Sequence, residues 1–313
     1  SCLTVVLFHY QATPELARRL HDLRAEGIDV RIVPPDDDAA LERQLPEAEV
    51  LWHVLAPADA ALIAAAPKLR LIQKWGVGLN TINLEAARAR GIQVSNMPGT
   101  NSRAVAELTL LLMLATLRRL SAVETGLRSG RWALAPEALA AQGELAGRTV
   151  GLVGMGAVPT LLAQMLTAMG AKPCYWSRMV KAGSNLPYVA LPELLASADI
   201  VSLHLPLTSE TIGIIDVWSM KKGSILINTA RGGLVDEAQL LVALSSKHLA
   251  AAGLDVFEAE PISADHPLLA LGSVTATPHV AWLTAETLLR SLDFAVLNLR
   301  NLAAGRPILS CVR

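Results

Sequence analysis

A chain of 313 residues is long enough for two domains of ordinary size and a large core. It is 52% hydrophobic, and its 27 basic residues are matched by 28 acidic ones, which indicates neither a nucleic-acid partner nor a membrane-surface one. The three cysteines, Cys2, Cys174 and Cys311, lack metal-ligand spacing and suit packing in a reducing compartment, so the expectation is a cytoplasmic protein with no metal site.

The opening SCLTVVLFHY has no basic n-region and an apolar run of only strand length, so it reads as a first strand, Leu3 to His9, and not as a targeting segment. Pro14 to Glu26 reads as a helix ended by Gly27. Strands follow over Asp29 to Val33 and Glu49 to Leu55, then a helix over Ala58 to Ala66 and a strand over Leu69 to Trp75. After the turn Gly76-Val77-Gly78, Asn83 caps a helix that closes at Gly91, and Ile92 to Ser95 makes another strand. Strands alternating with helices imply a parallel sheet covered on both faces.

Asn101 to Arg128 reads as one long helix, apolar over much of its circumference and therefore buried on several sides. Its most apolar part, Leu108 to Leu117, is shorter than the roughly 20 residues that span a bilayer. A loop around Trp132 leads to Thr149 to Val153, a β-branched run ending at a glycine turn; Ala157 to Met169 has helical spacing, and a second apolar run reaches Tyr175 and Trp176. Further buried strands are expected over Ile200 to Leu205, Ser224 to Asn228, Ala250 to Val256 and Val274 to Thr277, and a last helix from Thr284 to Ala304. The last helix belongs most simply to the first domain. Residues 1–98 and 284–313 are then expected to form one domain, for the substrate, and residues 99–283 another, for a dinucleotide.

The strand, glycine turn, helix and strand around Gly154-Met155-Gly156 form a βαβ unit. The first glycine makes the sharp turn, and the second lets backbone from Gly154 to Val158, including Met155 and Ala157, approach a pyrophosphate at the positive end of the helix. Pro159 replaces the third glycine of the fingerprint, and proline is tolerated in a first helical turn.

Three polar groups stand just beyond the carboxyl ends of expected strands: Arg231 after GSILINTA, Glu260 after LDVFEAE and His279 after SVTATP. That edge of an open α/β sheet is where ligands bind. An arginine fork holds a carboxylate and polarises a carbonyl. Histidine protonates an oxygen as hydride arrives, and a neighbouring carboxylate fixes its tautomer and favours its charged form. Taken singly, each has a plain alternative: a surface arginine, a solvated loop acid, a satisfied histidine. His21, His248 and His266 read as surface or loop groups and His204 as a strand end, whereas His53 lies near the substrate edge; Trp75 and Trp282 read as packing residues.

Gly76-Val77-Gly78, Val105-Ala106-Glu107, Gly154-Met155-Gly156, NTARGGLVD from Asn228, LDVFEAEP from Leu254 and TPHVA from Thr277 together resemble the D-isomer-specific 2-hydroxyacid dehydrogenases, in that family's order. The resemblance implies two doubly wound parallel-sheet α/β domains, a Rossmann dinucleotide-binding domain inserted into a flavodoxin-like substrate domain, and usually a homodimer built around the long helix. It implies that Arg231 binds substrate, Glu260 pairs with His279 as acid/base, Asp255 meets the nicotinamide amide, Thr229 lies at the cofactor, and Val77 and Gly78 offer N–H groups to the substrate carboxylate. Asn80 stands where an aspartate is common.

An NAD(P)-dependent reductase of small 2-keto acids, glyoxylate or hydroxypyruvate, is the leading expectation. A regulatory extension of the kind phosphoglycerate dehydrogenases often carry is not seen, and glutamate at position 260 disfavours a formate dehydrogenase, in which glutamine is expected. Dehydrogenases of 3-phosphoglycerate or D-lactate, and a dinucleotide-sensing binding protein on the same fold, remain alternatives. For the cofactor, Tyr175-Trp176-Ser177-Arg178 puts no acid roughly 20 residues beyond the glycine turn. Ser177 and Arg178 suit a 2′-phosphate, which points to NADP with NAD as second choice, unless Arg178 simply faces water.

Overall fold

The computed structural model describes residues 3–312, so Cys2 lies outside the described residues. Two compact units emerge, Ser1–Asn101 with Leu283–Arg313, and Ser102–Trp282.

In the first unit the chain runs β1 (Thr4–His9), α1 (Pro14–Asp22), β2 (Ile28–Ile32), α2 (Asp38–Gln44), β3 (Val50–His53), α3 (Ala60–Ala64), β4 (Leu71–Lys74), α4 (Leu84–Ala89) and β5 (Gln93–Ser95). Each helix starts where a short polar side chain takes a free backbone N–H: Thr13 from Leu16, Asp37 from Ala40, Asp59 from Leu62 and Asn83 from Ala86. The segment expected as helix to Glu26 finishes as a tighter 3-10 turn, Leu23–Glu26, which Gly27 stops at φ 86°. β3 and β4 are buried throughout, including the polar His53, Gln73 and Lys74.

The second unit contains α5 (Ser102–Leu117), α6 (Leu120–Arg128), α7 (Pro136–Ala140), β6 (Thr149–Val153), α8 (Ala157–Ala168), β7 (Lys172–Trp176), α9 (Leu191–Ser197), β8 (Ile200–Leu203), β9 (Ile225–Asn228), α10 (Glu237–Ser245), β10 (Ala251–Leu254) and β11 (Val274–Ala276). Its sheet is parallel, in the order β11-β10-β9-β8-β6-β7. Beyond β7, Tyr188 bridges Tyr175 in parallel, with Tyr175 N–H donating to Pro187 and Val189 N–H to Tyr175, the trace of a further strand. This is the doubly wound Rossmann arrangement, and its order reverses between β6 and β8, where ligands bind.

The single helix expected over 101–128 is instead two. Arg119 adopts the left-handed region at φ 51°, and α6 begins after it. Local hydrogen bonding explains the break. The Thr116 hydroxyl bonds back to the Leu112 and Met113 carbonyls, Arg119 N–H returns only three residues to Thr116, and the Leu117 carbonyl is taken by the Gly143 N–H at 2.9 Å. The apolar pattern runs on through Leu120 and Leu127, so periodicity does not register the interruption. α5 is buried through Ala106, Leu112 and Met113, as its all-round apolar surface requires.

Returning to the first unit, the chain forms α11 (Ala285–Ala303), capped by the Thr284 hydroxyl, and β12 (Cys311–Val312). The sheet order there is β12-β5-β4-β3-β1-β2. This is the flavodoxin-like order with one departure from a purely parallel sheet, since β12 pairs antiparallel with β5. The edge is fixed by Asn298 of α11, which is fully buried. Its amide donates to Gln73 Oε1 (2.7 Å), Ser95 Oγ (3.1 Å) and the Leu309 carbonyl (3.2 Å), and its oxygen accepts from Leu309 N–H at 2.8 Å. One side chain thereby ties β4 and β5 to the Leu309 segment that leads into β12.

Candidate active site

The carboxyl ends of β9, β10 and β11 carry the polar groups of interest. After β9, the Asn228 side chain closes a turn by accepting from Ala230 N–H (3.0 Å) and donating to the Arg231 carbonyl (2.9 Å). Arg231 follows in extended conformation before a 3-10 turn, Gly232–Leu234. A β-carbon on Gly232 would lie 2.0 Å from the Phe257 carbonyl carbon and 2.4 Å from Glu258 N, so only glycine allows the two loops to touch. That contact sets Arg231 beside the loop carrying Glu260. Burial lowers the Arg231 pKa, and the Glu260 charge opposes the shift. A guanidinium has enough margin to stay charged.

His279 sits in the left-handed region at φ 54°, its N–H shared between the Asp255 (2.8 Å) and Thr277 (3.1 Å) carbonyls. The fully buried Asp255 side chain accepts from the Thr277 hydroxyl (2.5 Å), Val280 N–H (2.9 Å) and Ala281 N–H (2.9 Å). Burial raises its pKa, and those bonds and the His279 charge oppose the rise. Trp282 closes the turn by donating from its indole to the His279 carbonyl at 3.0 Å. The imidazole Nδ1 lies 2.6 Å from Glu260 Oε2, and Glu260 Oε1 accepts from Phe257 N–H at 3.0 Å. Burial works against ionisation of Glu260; the His279 bond and charge, the Phe257 amide and Arg231 outweigh it, and its pKa lies below the ordinary glutamate value. An ionised Glu260 assigns the Nδ1 proton to the imidazole and leaves Nε2 as the reactive nitrogen. Arg231, Asp255, Glu260 and His279 thus lie together at one sheet edge.

Val77 and Gly78 belong to the other unit, in the loop after β4, where Asn96 donates to the Val77 carbonyl at 3.0 Å and Val77 itself is exposed. His53, at the end of β3, is 1% exposed, and burial, Lys74 and His9 hold its pKa well below the ordinary value. Trp75 and Trp282 are buried, in keeping with packing roles.

At the switch point, Gly154 has φ 104°, and a β-carbon there would meet the His204 carbonyl oxygen at 2.5 Å. Gly156 precedes α8, no side chain caps this helix start, and the space around Gly156 is open. An uncapped start on a helix of 12 residues, reached through a glycine turn, fits a pyrophosphate held by the N–H groups near Ala157 and Val158. Pro159 is buried in the first turn, and α8 packs Leu162 and Leu166 into the core regardless. Met155 packs partly buried against that core. The Thr229 hydroxyl lies 2.8 Å from that of Thr109. Ser177 donates to the Met179 carbonyl at 2.5 Å, and Arg178 does not face water alone: its Nη1 lies 3.1 Å from Glu210 Oε2. His266, expected as a surface or loop group, lies with Nε2 2.8 Å from Glu237 Oε1. Neither Glu210 nor Glu237 carries a local sequence signal, because each partner is remote in the chain.

Residues 110–281 match the family model described as D-isomer specific 2-hydroxyacid dehydrogenase, NAD binding domain. The chain belongs to the D-isomer-specific 2-hydroxyacid dehydrogenase family. Among its members, a D-3-phosphoglycerate dehydrogenase of Mycobacterium bovis is 40% identical over 91% of this chain and 54% of its own length. The chain therefore spans about half the length of that relative. A glyoxylate reductase of Aeropyrum pernix is 38% identical over 87% of this chain and 85% of its own. The crystal structure of an NADPH-dependent glyoxylate/hydroxypyruvate reductase of Sinorhizobium meliloti, in complex with NADP and malonate, superposes with a TM-score of 0.83 at 30% identity, covering 98% of this chain and 96% of that one. Among the described residues, no helix is long and apolar enough to cross a membrane, and no group of three or more His, Cys, Asp or Glu is placed to hold a metal ion.

His204, whose carbonyl faces the Gly154 turn, is partly buried with Nε2 2.8 Å from Ser202 Oγ, and desolvation lowers its pKa to about 3. The unfolded chain protonates this histidine near its ordinary value, well above the folded pKa, so stability contributed by the neutral ring is present above about pH 6.5 and falls as pH drops toward 3. Acid titration of the unfolding free energy should show this loss across that window. His204→Gln should flatten the curve in that window; an unchanged curve would assign the acid sensitivity elsewhere.

Proposed function

We propose that the protein is a nicotinamide-dependent reductase of small 2-keto acids, glyoxylate or hydroxypyruvate, and in reverse a dehydrogenase of the D-2-hydroxy acid. The observation that carries this reading is the 2.6 Å His279–Glu260 contact at the sheet edge that also bears Arg231. When bound, the dihydronicotinamide supplies the hydride. The residues of the chain do the rest: Arg231 holds the substrate carboxylate and polarises the carbonyl, and His279 Nε2 gives its proton to the carbonyl oxygen. Glu260 stabilises the charged imidazole, and the family resemblance adds the N–H groups of Val77 and Gly78 as further ligands of a substrate carboxylate. The Aeropyrum reductase, aligned over most of both chains, supports the glyoxylate assignment, while the 40% identity to a phosphoglycerate dehydrogenase keeps 3-phosphoglycerate as the second substrate to test.

Oxidation of reduced cofactor at 340 nm, followed with a panel of 2-keto acids, names the substrate, and a dinucleotide sensor would bind cofactor without turnover. His279→Ala should lower kcat by about 10²–10⁴-fold. Because Glu260 is ionised across the neutral range, Glu260→Gln removes a charge that favours the acid form, and the pH profile of reduction should move to lower pH. Full activity in the alanine variant would refute the acid/base assignment.

For the cofactor we propose NADP. Ser177 and Arg178 follow β7 where an acid stands in NAD-specific units, and the Sinorhizobium reductase binds NADP on the same fold. A phosphate must share Arg178 with Glu210, so NADPH should be preferred at the low end of the range for a charge-assisted hydrogen bond, about tenfold in kcat/KM. Glu210→Gln should widen that preference and Arg178→Ala should abolish it; a preference for NADH would overturn the assignment.

A second copy of this chain is the partner proposed for the apolar surface of residues 111–139, where Leu111, Leu120, Leu127 and Leu139 are each about half exposed or more and Trp132 is 88% exposed. Light scattering should give about twice the 33.2 kDa chain mass, and a monomeric mass would refute the homodimer.

A further inference from the structure

The loop that carries Glu260 has little core to hold it: residues 258–261 and 263–265 are exposed, and Phe257 and Leu268 are the buried residues at its ends. A short Glu260–His279 contact nevertheless requires that loop to be fixed. One side chain grips it at two points. Glu237, the first residue of α10, accepts from Glu258 N–H through Oε2 at 2.9 Å and meets His266 Nε2 through Oε1 at 2.8 Å. Both ends of the loop are thereby tied to one carboxylate, itself only 19% exposed. The His266 ring also meets the Phe257 ring edge-on at 5.8 Å, and Phe257 is the residue whose N–H holds Glu260 Oε1.

We propose that Glu237, with His266, is a positioning residue for the Glu260–His279 pair: it clamps residues 258 and 266 so that the Glu260 carboxylate is presented to the imidazole. Glu237 touches neither Glu260 nor His279 directly in this arrangement; it acts through the backbone of the loop. The inference rests on the proposed role of Glu260 in 2-keto acid reduction for its kinetic consequence, and on geometry alone for its effect on loop order. Deletion of the clamp frees the loop, and the pair then forms in only a fraction of molecules.

A double-mutant cycle with a loop-order readout tests it in the full chain. Glu237→Ala should lower kcat about tenfold with little change in the KM for cofactor, and should do so far less in a Glu260→Gln background, because two changes acting through one contact are not additive. Backbone hydrogen exchange over residues 257–266 should quicken in Glu237→Ala while the sheet of the second unit keeps its protection. Should the alanine variant fail to fold, Glu237→Gln, which keeps the shape and replaces one acceptor oxygen by a donor, enters the same cycle. Equal losses in both backgrounds, or unchanged exchange in the loop, would overturn the clamp. If Glu260→Gln itself leaves the pH profile untouched, the catalytic reading fails, and the exchange measurement alone still decides whether Glu237 orders the loop.

Discussion

The buried Asp255 carboxylate is the constraint from which the site follows. Isolated in an apolar interior, an ionised carboxylate is strongly unfavourable, and it is tolerated here because a hydroxyl and two backbone N–H groups converge on it. Those donors belong to residues 277, 280 and 281, so satisfying the acid bends the segment around His279. The bend holds a non-glycine residue at φ 54°, a conformation that costs roughly 1–2 kcal/mol and persists only where neighbours over-determine it. Asp255 thus does with hydrogen bonds what glycine would do by lacking a side chain, and it leaves an imidazole where a glycine would leave nothing. The family resemblance implies that Asp255 meets the nicotinamide amide; in the structure its side chain also shapes the histidine turn.

Around that fixed histidine the other groups are placed by backbone packing. Gly232 lets the Phe257–Glu258 backbone press against the Arg231 turn at a distance no β-carbon permits, and Asn228 holds the same turn from within. Three loops that are separate in sequence converge because three parallel strands end together and each connection is pinned by a buried polar group. Partial burial and opposite charge then act on the same residues in opposite directions. Burial raises the Glu260 pKa; the imidazole, an amide and the nearby guanidinium lower it by more and favour the ionised form.

Much of this was legible in the chain. The parallel sheets follow from alternating apolar runs and glycine punctuation, the two unit types from the family resemblance, and Arg231, Glu260 and His279 announced themselves as polar groups at strand ends. What periodicity missed was set by single hydrogen bonds. The break at Arg119 depends on Gly143 capturing the Leu117 carbonyl, and the antiparallel β12 depends on Asn298 holding a segment more than 200 residues from Ser95. Neither leaves a trace in the apolar pattern, because each is a contact between elements. The exposed Arg178 likewise looked like a free cation until its pairing with Glu210, 32 residues on, was visible.

That pairing shows why charge type alone is weak evidence for a ligand. An exposed arginine and glutamate at 3.1 Å gain little stability, generally within about 1 kcal/mol, since both are well solvated in isolation. The same contact matters more for recognition than for folding. A 2′-phosphate entering beside Arg178 meets a guanidinium whose field is already partly cancelled and a carboxylate that repels it, and both effects act at close range where salt screens them least. The glutamate therefore sets how strongly the arginine can select, without being needed for the arginine to be there. In the reactive cluster the relation is reversed: Glu260 is half-buried, its partner is fixed by Asp255, and the pair is held by structure that does no chemistry itself.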